Sequence, residues 1–267
     1  MERDNRFAAL KNSATRVARF QQARHIEALN PAVQAPGAKG ALTGPQFEHV
    51  KDGLCASLTT KWLREKLGSV RSPVLKKRDF VRKPSPDQAE RAVRSAAHMQ
   101  LLHHPAGRTD LRIMLKQSGI QTDRILDVRN EMTPPTKEEL RDHPDSAKAS
   151  AYLAHPSIEL TFAQVCNNLK RGQGVVMRMS VRDTGARDDS ATPGVDAAST
   201  SSAHVTGLYR SRLGKVVFFD PNAGAYKLNN PAEFIKSWKD AYAQRGLAVS
   251  MRNVQDGFFT CTTMKSD

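Results

Sequence analysis

A thiol, an imidazole and a carboxylate suffice together for nucleophilic attack on a carbonyl, and this sequence offers them as Cys55, His204 and Asp220. The reactive form of a cysteine is its thiolate, which is favoured at a helix N-terminus and beside an imidazolium. Cys55 opens the run CASLTTKWLREKLG. In that run Leu58, Trp62 and Leu67 recur at helical spacing, Leu63 widens the stripe and Gly68 is a stop signal. Asp52 and Gly53 precede it as turn or cap residues. The pattern therefore predicts Cys55 in the first turn of a core-facing helix. His204 begins HVTGLYRS (204–211), and KVVFFD (215–220) ends on Asp220, with Arg212, Leu213 and Gly214 between them. That is a β-hairpin pattern. It predicts that His204 and Asp220 lie opposite one another at one end of a sheet, where the carboxylate accepts the imidazole N–H and fixes the ring's tautomer. Taken singly, each residue has a plainer reading: a small buried hydrophobe, a structural histidine, a turn at DPNAG. Their joint placement gives the chemistry its weight.

The elements that must position these groups follow from the rest of the chain. Residues 86–102, 109–118, 159–171 and 231–245 carry helical patterns, the last beginning with Pro231 in its first turn. Strand patterns occur at 124–129, 175–181, 204–211, 215–220, AYKL, 247–254 and 258–264. Helices come first and strands follow, with one helix inserted, which predicts an α+β fold with an antiparallel sheet. Residues 1–45 hold two weak helical patches and then Pro31, Pro36, Gly37, Gly40, Gly44 and Pro45. They read as a flexible N-terminal segment ahead of a domain over 46–267. Polar stretches at 131–150 and 182–203 read as loops.

Composition bounds the partners. The 267 residues suffice for one core, and the net charge of +14 favours acidic surfaces. Basic residues cluster between Lys61 and Arg94, with Lys76, Lys77 and Arg78 at the centre. That cluster is a candidate surface for an acidic substrate or an anionic membrane leaflet. Aromatics are sparse at 6% and do not interleave with the basic residues, so nucleic acid is not the expected partner. Three cysteines (55, 166 and 261) suggest no disulfide framework. Cys166 and Cys261 fall on apolar faces and read as core. The N-terminal residues lack the apolar stretch of a Sec-type signal peptide, and no run is long enough to predict a membrane span. His98, His103 and His104 lack the Cys or carboxylate partners of a metal site, and no phosphate-cradling or dinucleotide motif occurs, so neither metal nor cofactor is expected. Trp62 and Trp238 sit at helical core spacing and read as packing.

Two blocks carry a family resemblance. CASLTTKWL (55–63) resembles the nucleophile helix of the YopT/AvrPphB-type cysteine protease effectors, and AHVTGLYR with KVVFFDPNAGAY (203–226) resembles their histidine strand, hairpin and aspartate turn. The order Cys, distant His, then Asp is also the papain-type order. The resemblance implies a papain-like fold with its nucleophile helix packed on an antiparallel sheet, and a Cys55–His204–Asp220 triad that hydrolyses peptide bonds. It further implies delivery by a bacterial secretion system, of the type III kind, into a target cell. The substrate would be a protein of that cell and a secretion chaperone would be a partner. The chain departs from the family in the length of the 182–203 stretch and in the oxyanion-hole side chain, for which Gln46 and His49 are the candidates. Two other readings stay open. The same triad can deamidate glutamine or transfer an acyl group, and a non-enzymatic basic protein would use the 61–94 cluster on nucleic acid or membrane.

Overall fold

The computed structural model describes residues 10, 12–32, 41–51, 53–68, 80, 85–102, 111–126, 158–183, 201–250 and 258–263. Their elements, in chain order, are β1 (Ala14–Ala18), α1 (Gln22–Ile26), α2 (Gly44–Val50), α3 (Cys55–Leu67), α4 (Pro86–Leu102), α5 (Leu111–Gln117) and β2 (Ile120–Leu126). Then follow α6 (Ile158–Asn168), β3 (Gly174–Asp183), β4 (Ser201–Arg210), β5 (Val216–Asp220), β6 (Gly224–Leu228), α7 (Pro231–Ala243), β7 (Leu247–Ser250) and β8 (Phe258–Thr263). The fold is α+β. The eight strands among the described residues form one antiparallel sheet in the order β1-β6-β5-β4-β3-β8-β2, with β7 paired to the far end of β3.

Alternation along the strands splits the core into two layers, because successive side chains in a strand point to opposite faces. Val176, Val205, Phe219 and Ala225 face one way and pack against α3, α4 and α5 through Leu58, Trp62, Leu63, Val93, Ala97 and Leu115. Val175, Met177, Leu208, Phe218 and Tyr226 face the other way and meet Phe162 and Val165 of α6 and Phe234 and Trp238 of α7. Trp62 stacks on Phe219 with ring centroids 5.1 Å apart. This close approach of α3 to the sheet depends on Gly207, where a Cβ would stand 2.9 Å from Trp62 Cζ3. Thr59 Oγ1 also donates to the carbonyl of Val205 at 3.0 Å, which ties α3, the helix that Cys55 opens, to β4, the strand that carries His204.

Three expectations need correction. Residues 1–45 are not wholly separate from the domain: β1 pairs with β6, so Ala14–Ala18 is an edge strand of the sheet. The turn at Gly224 makes room for it, since a Cβ there would lie 2.3 Å from the Ala18 carbonyl oxygen. The strand expected at 124–129 begins at Ile120, directly after Gly119, whose φ of +73° turns the chain out of α5. His204 and Asp220 are not directly opposite. The β4–β5 register pairs Gly207 with Phe219, so Asp220 lies beside Thr206 and meets His204 on the diagonal. The loops expected at 131–150 and 182–203 fall largely outside the described residues, as do Lys76, Lys77, Arg78, His103 and His104. No helix among the described residues is long and apolar enough to cross a membrane.

Candidate active site

Cys55 is the first residue of α3, half-buried at the helix N-terminus. Its position follows from the stop before it: Gly53 has a φ of +143°, and Leu54 caps the helix with no side-chain hydrogen bond. The backbone N–H groups of the first turn have no partners within the helix, so the thiol sits in their positive field. Cys55 is hydrogen-bonded to His204 and receives the backbone N–H groups of Val205 and Ala56. Burial raises the Cys55 thiol, but the hydrogen bond and charge of His204, with those two N–H groups, outweigh it. The thiol is therefore held below its ordinary 9.0.

His204 lies in β4 and is buried. Its Nε2 is 2.9 Å from Asp220 Oδ1 and 3.2 Å from the Tyr242 hydroxyl oxygen, and the ring is also hydrogen-bonded to Cys55. Burial lowers the His204 imidazole, yet the charge and hydrogen bond of Asp220, together with those of Cys55, push it up to about 10. The two shifts run in opposite directions, each favouring the charged form of its group.

Asp220 ends β5 and is fully buried. A buried carboxylate is tolerated only when its oxygens are satisfied. Here Oδ1 accepts from His204 Nε2 at 2.9 Å and from the Asn222 backbone N–H at 2.8 Å. Oδ2 accepts from Trp238 Nε1 at 2.8 Å and from the Tyr242 hydroxyl at 2.9 Å. Burial pushes Asp220 up, but the charge and hydrogen bond of His204, then Asn222 and Trp238, hold it below 3.8. Burial first, then the charge of Asp220, keeps Tyr242 well above 10.0, so it remains a phenol that donates. The site thus joins the two core layers: Cys55 comes from the helix on one face of the sheet, and the two donors to Asp220 Oδ2 come from α7 on the other.

The two oxyanion-hole candidates of the sequence both lie in α2. Gln46 is the third residue of α2, and its side chain accepts from Thr43 N in a capping box. His49 is exposed in the last turn of the same helix. The polar side chain brought to the N-cap of α3 is Gln22, from α1, whose Oε1 accepts from Leu54 N at 2.9 Å. Gln22, Asn222, Trp238 and Tyr242 were missed or read as packing and turn residues. A signal for two of them existed: Trp238 and Tyr242 share one face of α7, and their polar tips require a partner when buried. Cys166 and Cys261 are buried, and burial pushes the Cys166 thiol up to about 12, against a smaller effect of Arg210. Among the described residues no group of three His, Cys, Asp or Glu is placed to hold a metal ion.

Comparison with known proteins adds little to this geometry. No protein-family profile matches the chain, and no curated protein does. Among solved structures, the crystal structure of the Pseudomonas avirulence protein AvrPphB matches over 80% of this chain and 92% of that one, with 11% sequence identity and a TM-score of 0.39. That is a distant resemblance, and the functional reading rests on the site itself.

Proposed function

We propose that the chain is a papain-like cysteine protease that acts on a protein of a target cell, with Cys55 as nucleophile, His204 as acid–base and Asp220 as the residue that orients His204. The observation that supports this reading is the chain of contacts from Cys55 through His204 to Asp220, with the thiol lowered and the imidazole raised. In the reaction the Cys55 thiolate attacks the scissile carbonyl, and the carbonyl oxygen becomes an oxyanion facing the N-terminus of α3. The tetrahedral intermediate collapses as the C–N bond breaks, and the His204 imidazolium gives its proton to the leaving amine. Neutral His204 then takes a proton from water, whose oxygen attacks the thioester carbonyl. The C–S bond breaks, the acid product leaves and the thiolate–imidazolium pair returns.

The reading extends to delivery by a bacterial secretion system and to steering of acidic substrates by the basic 61–94 cluster. The test is to incubate target-cell lysate with the wild type and with Cys55→Ala, then sequence by mass spectrometry. New protein N-termini that depend on Cys55 are the expected result. A Cys55-dependent gain of about one dalton at glutamine, or an added acyl group, without new termini would replace the protease with a deamidase or a transferase. No Cys55-dependent change would remove the enzyme reading.

A further inference from the structure

The peptide unit that joins Gly53 to Leu54 is held from both sides. Its N–H, on Leu54, donates to Gln22 Oε1 at 2.9 Å. Its carbonyl, on Gly53, accepts from Gln100 Nε2 at 2.9 Å. The two glutamines come from α1 and α4, and both are 7% exposed. Neither is loosely held. Gln22 Nε2 donates to Asn222 Oδ1 at 2.8 Å, and its backbone N–H donates to the Pro221 carbonyl at 2.8 Å. Gln100 Oε1 accepts from Ser57 Oγ at 3.3 Å, and the same hydroxyl reaches the Leu54 carbonyl at 3.1 Å. Asn222 in turn donates to the carboxylate of Asp220 and to the Tyr242 hydroxyl.

A side-chain cap would ordinarily fix the first turn of a helix, and α3 has none. Gly53, at a φ of +143°, is also the residue type with the most backbone freedom. Rotation of the Gly53–Leu54 plane would tilt the next peptide, which carries the Cys55 N–H. From these contacts we infer that Gln22 and Gln100 are positioning residues that lock this plane and so aim the Cys55 N–H at the developing oxyanion. This inference rests on the protease reading and adds two residues to it. The locked plane also carries the link from the nucleophile helix to the aspartate turn, through Gln22 and Asn222.

Two chemical probes separate this role from the triad. Iodoacetamide alkylates the thiolate by displacing iodide and forms no oxyanion. p-Nitrophenyl acetate acylates the same sulfur: the thiolate adds to the carbonyl, an oxyanion forms, the ester C–O bond breaks and p-nitrophenolate leaves. In Gln22→Leu and Gln100→Leu, alkylation and its pH profile are expected to stay within about twofold of wild type, while acylation falls about tenfold or more, below the full loss of an oxyanion donor. Gln22→Glu keeps an acceptor for Leu54 N, whereas Gln100→Glu offers the Gly53 carbonyl no donor. The Gln100 variant should therefore lose more acylation than the Gln22 variant. Equal acylation in all variants that still alkylate as wild type overturns the inference. So does a parallel fall of both rates in every variant, which would assign the glutamines to folding alone. A wild type that responds to neither probe would instead remove the protease reading, and the inference with it.

Discussion

Tyr242→Phe is the sharpest probe of how the buried carboxylate is held. The change deletes one hydroxyl and keeps the ring, which packs on Trp238 at 4.6 Å and faces His204 at 5.9 Å between centroids. No cavity larger than one oxygen results. The hydroxyl donates to Asp220 Oδ2 at 2.9 Å and accepts from Asn222 Nδ2 at 3.1 Å. A hydrogen bond to a charged group contributes about 1.5–3 kcal/mol, and half-buried Asn222 has access to water as a replacement partner. The expected loss is therefore about 2–3 kcal/mol at neutral pH, which lowers the Tm by roughly 4–10 °C for a chain of this size. Its pH dependence carries the diagnostic. Asp220 is held below its unfolded value, so its contribution is present above the ordinary carboxylate range and is lost as pH falls through the lowered value. Removing a donor raises the folded value towards the unfolded one, so the variant has less of this stability to lose and finishes losing it at a higher pH than wild type. Urea denaturation at several pH values would show a gap that is full at pH 7 and narrows in acid. A gap below about 0.5 kcal/mol at pH 7, or one that stays constant into acid, would refute the charge-based account.

Three further outcomes follow from the packing and the site. Gly207→Ala would place a methyl 2.9 Å from Trp62 Cζ3 and 3.1 Å from Thr59 Cγ2, so it should destabilise by about 1–3 kcal/mol in chemical denaturation. Gly224→Ala meets the Ala18 carbonyl oxygen at 2.3 Å at a φ of +102°, and hydrogen exchange should show β1 losing protection before the central strands do. His204, raised to about 10, contributes stability that is fully present below its unfolded value near 6.5 and is lost as pH rises through about 10. Measured in the Cys55→Ala background, where no thiol titrates at this site, the protein that keeps His204 should therefore lose more stability between pH 7 and 10.5 than the one that also carries His204→Ala, as read by urea midpoints.

Much of this arrangement was legible in local pattern. α3 was readable because Leu58 and Trp62 repeat at helical spacing and Gly68 ends the run. The β4–β5 hairpin was readable from the short glycine-containing turn between two apolar runs. β1 was not: its five residues, ATRVA, contain one β-branched hydrophobe, and their partner strand lies some 200 residues along the chain, beyond any local periodicity. The register error at Asp220 has a similar source. Loop length gives the ends of a hairpin, but the pairing of Gly207 with Phe219 is set by how each strand's faces pack. Gln22 was invisible because its partner, the Leu54 N–H, is a backbone group and leaves no mark on composition. Trp238 was recognised for its apolar ring, while its N–H contact with Asp220 needed the aspartate's place in the fold.

The central claim is that Cys55 and His204 form a thiolate–imidazolium pair. Thiolate absorbance near 240 nm, followed from pH 3 to 11 in wild type, in Cys55→Ala as the blank and in His204→Ala, measures it directly. The account predicts that Cys55 ionises below 9.0 in wild type and that the transition moves upward in His204→Ala, where burial is no longer opposed by the imidazole. A wild-type transition at or above 9.0 that His204→Ala leaves in place would contradict it.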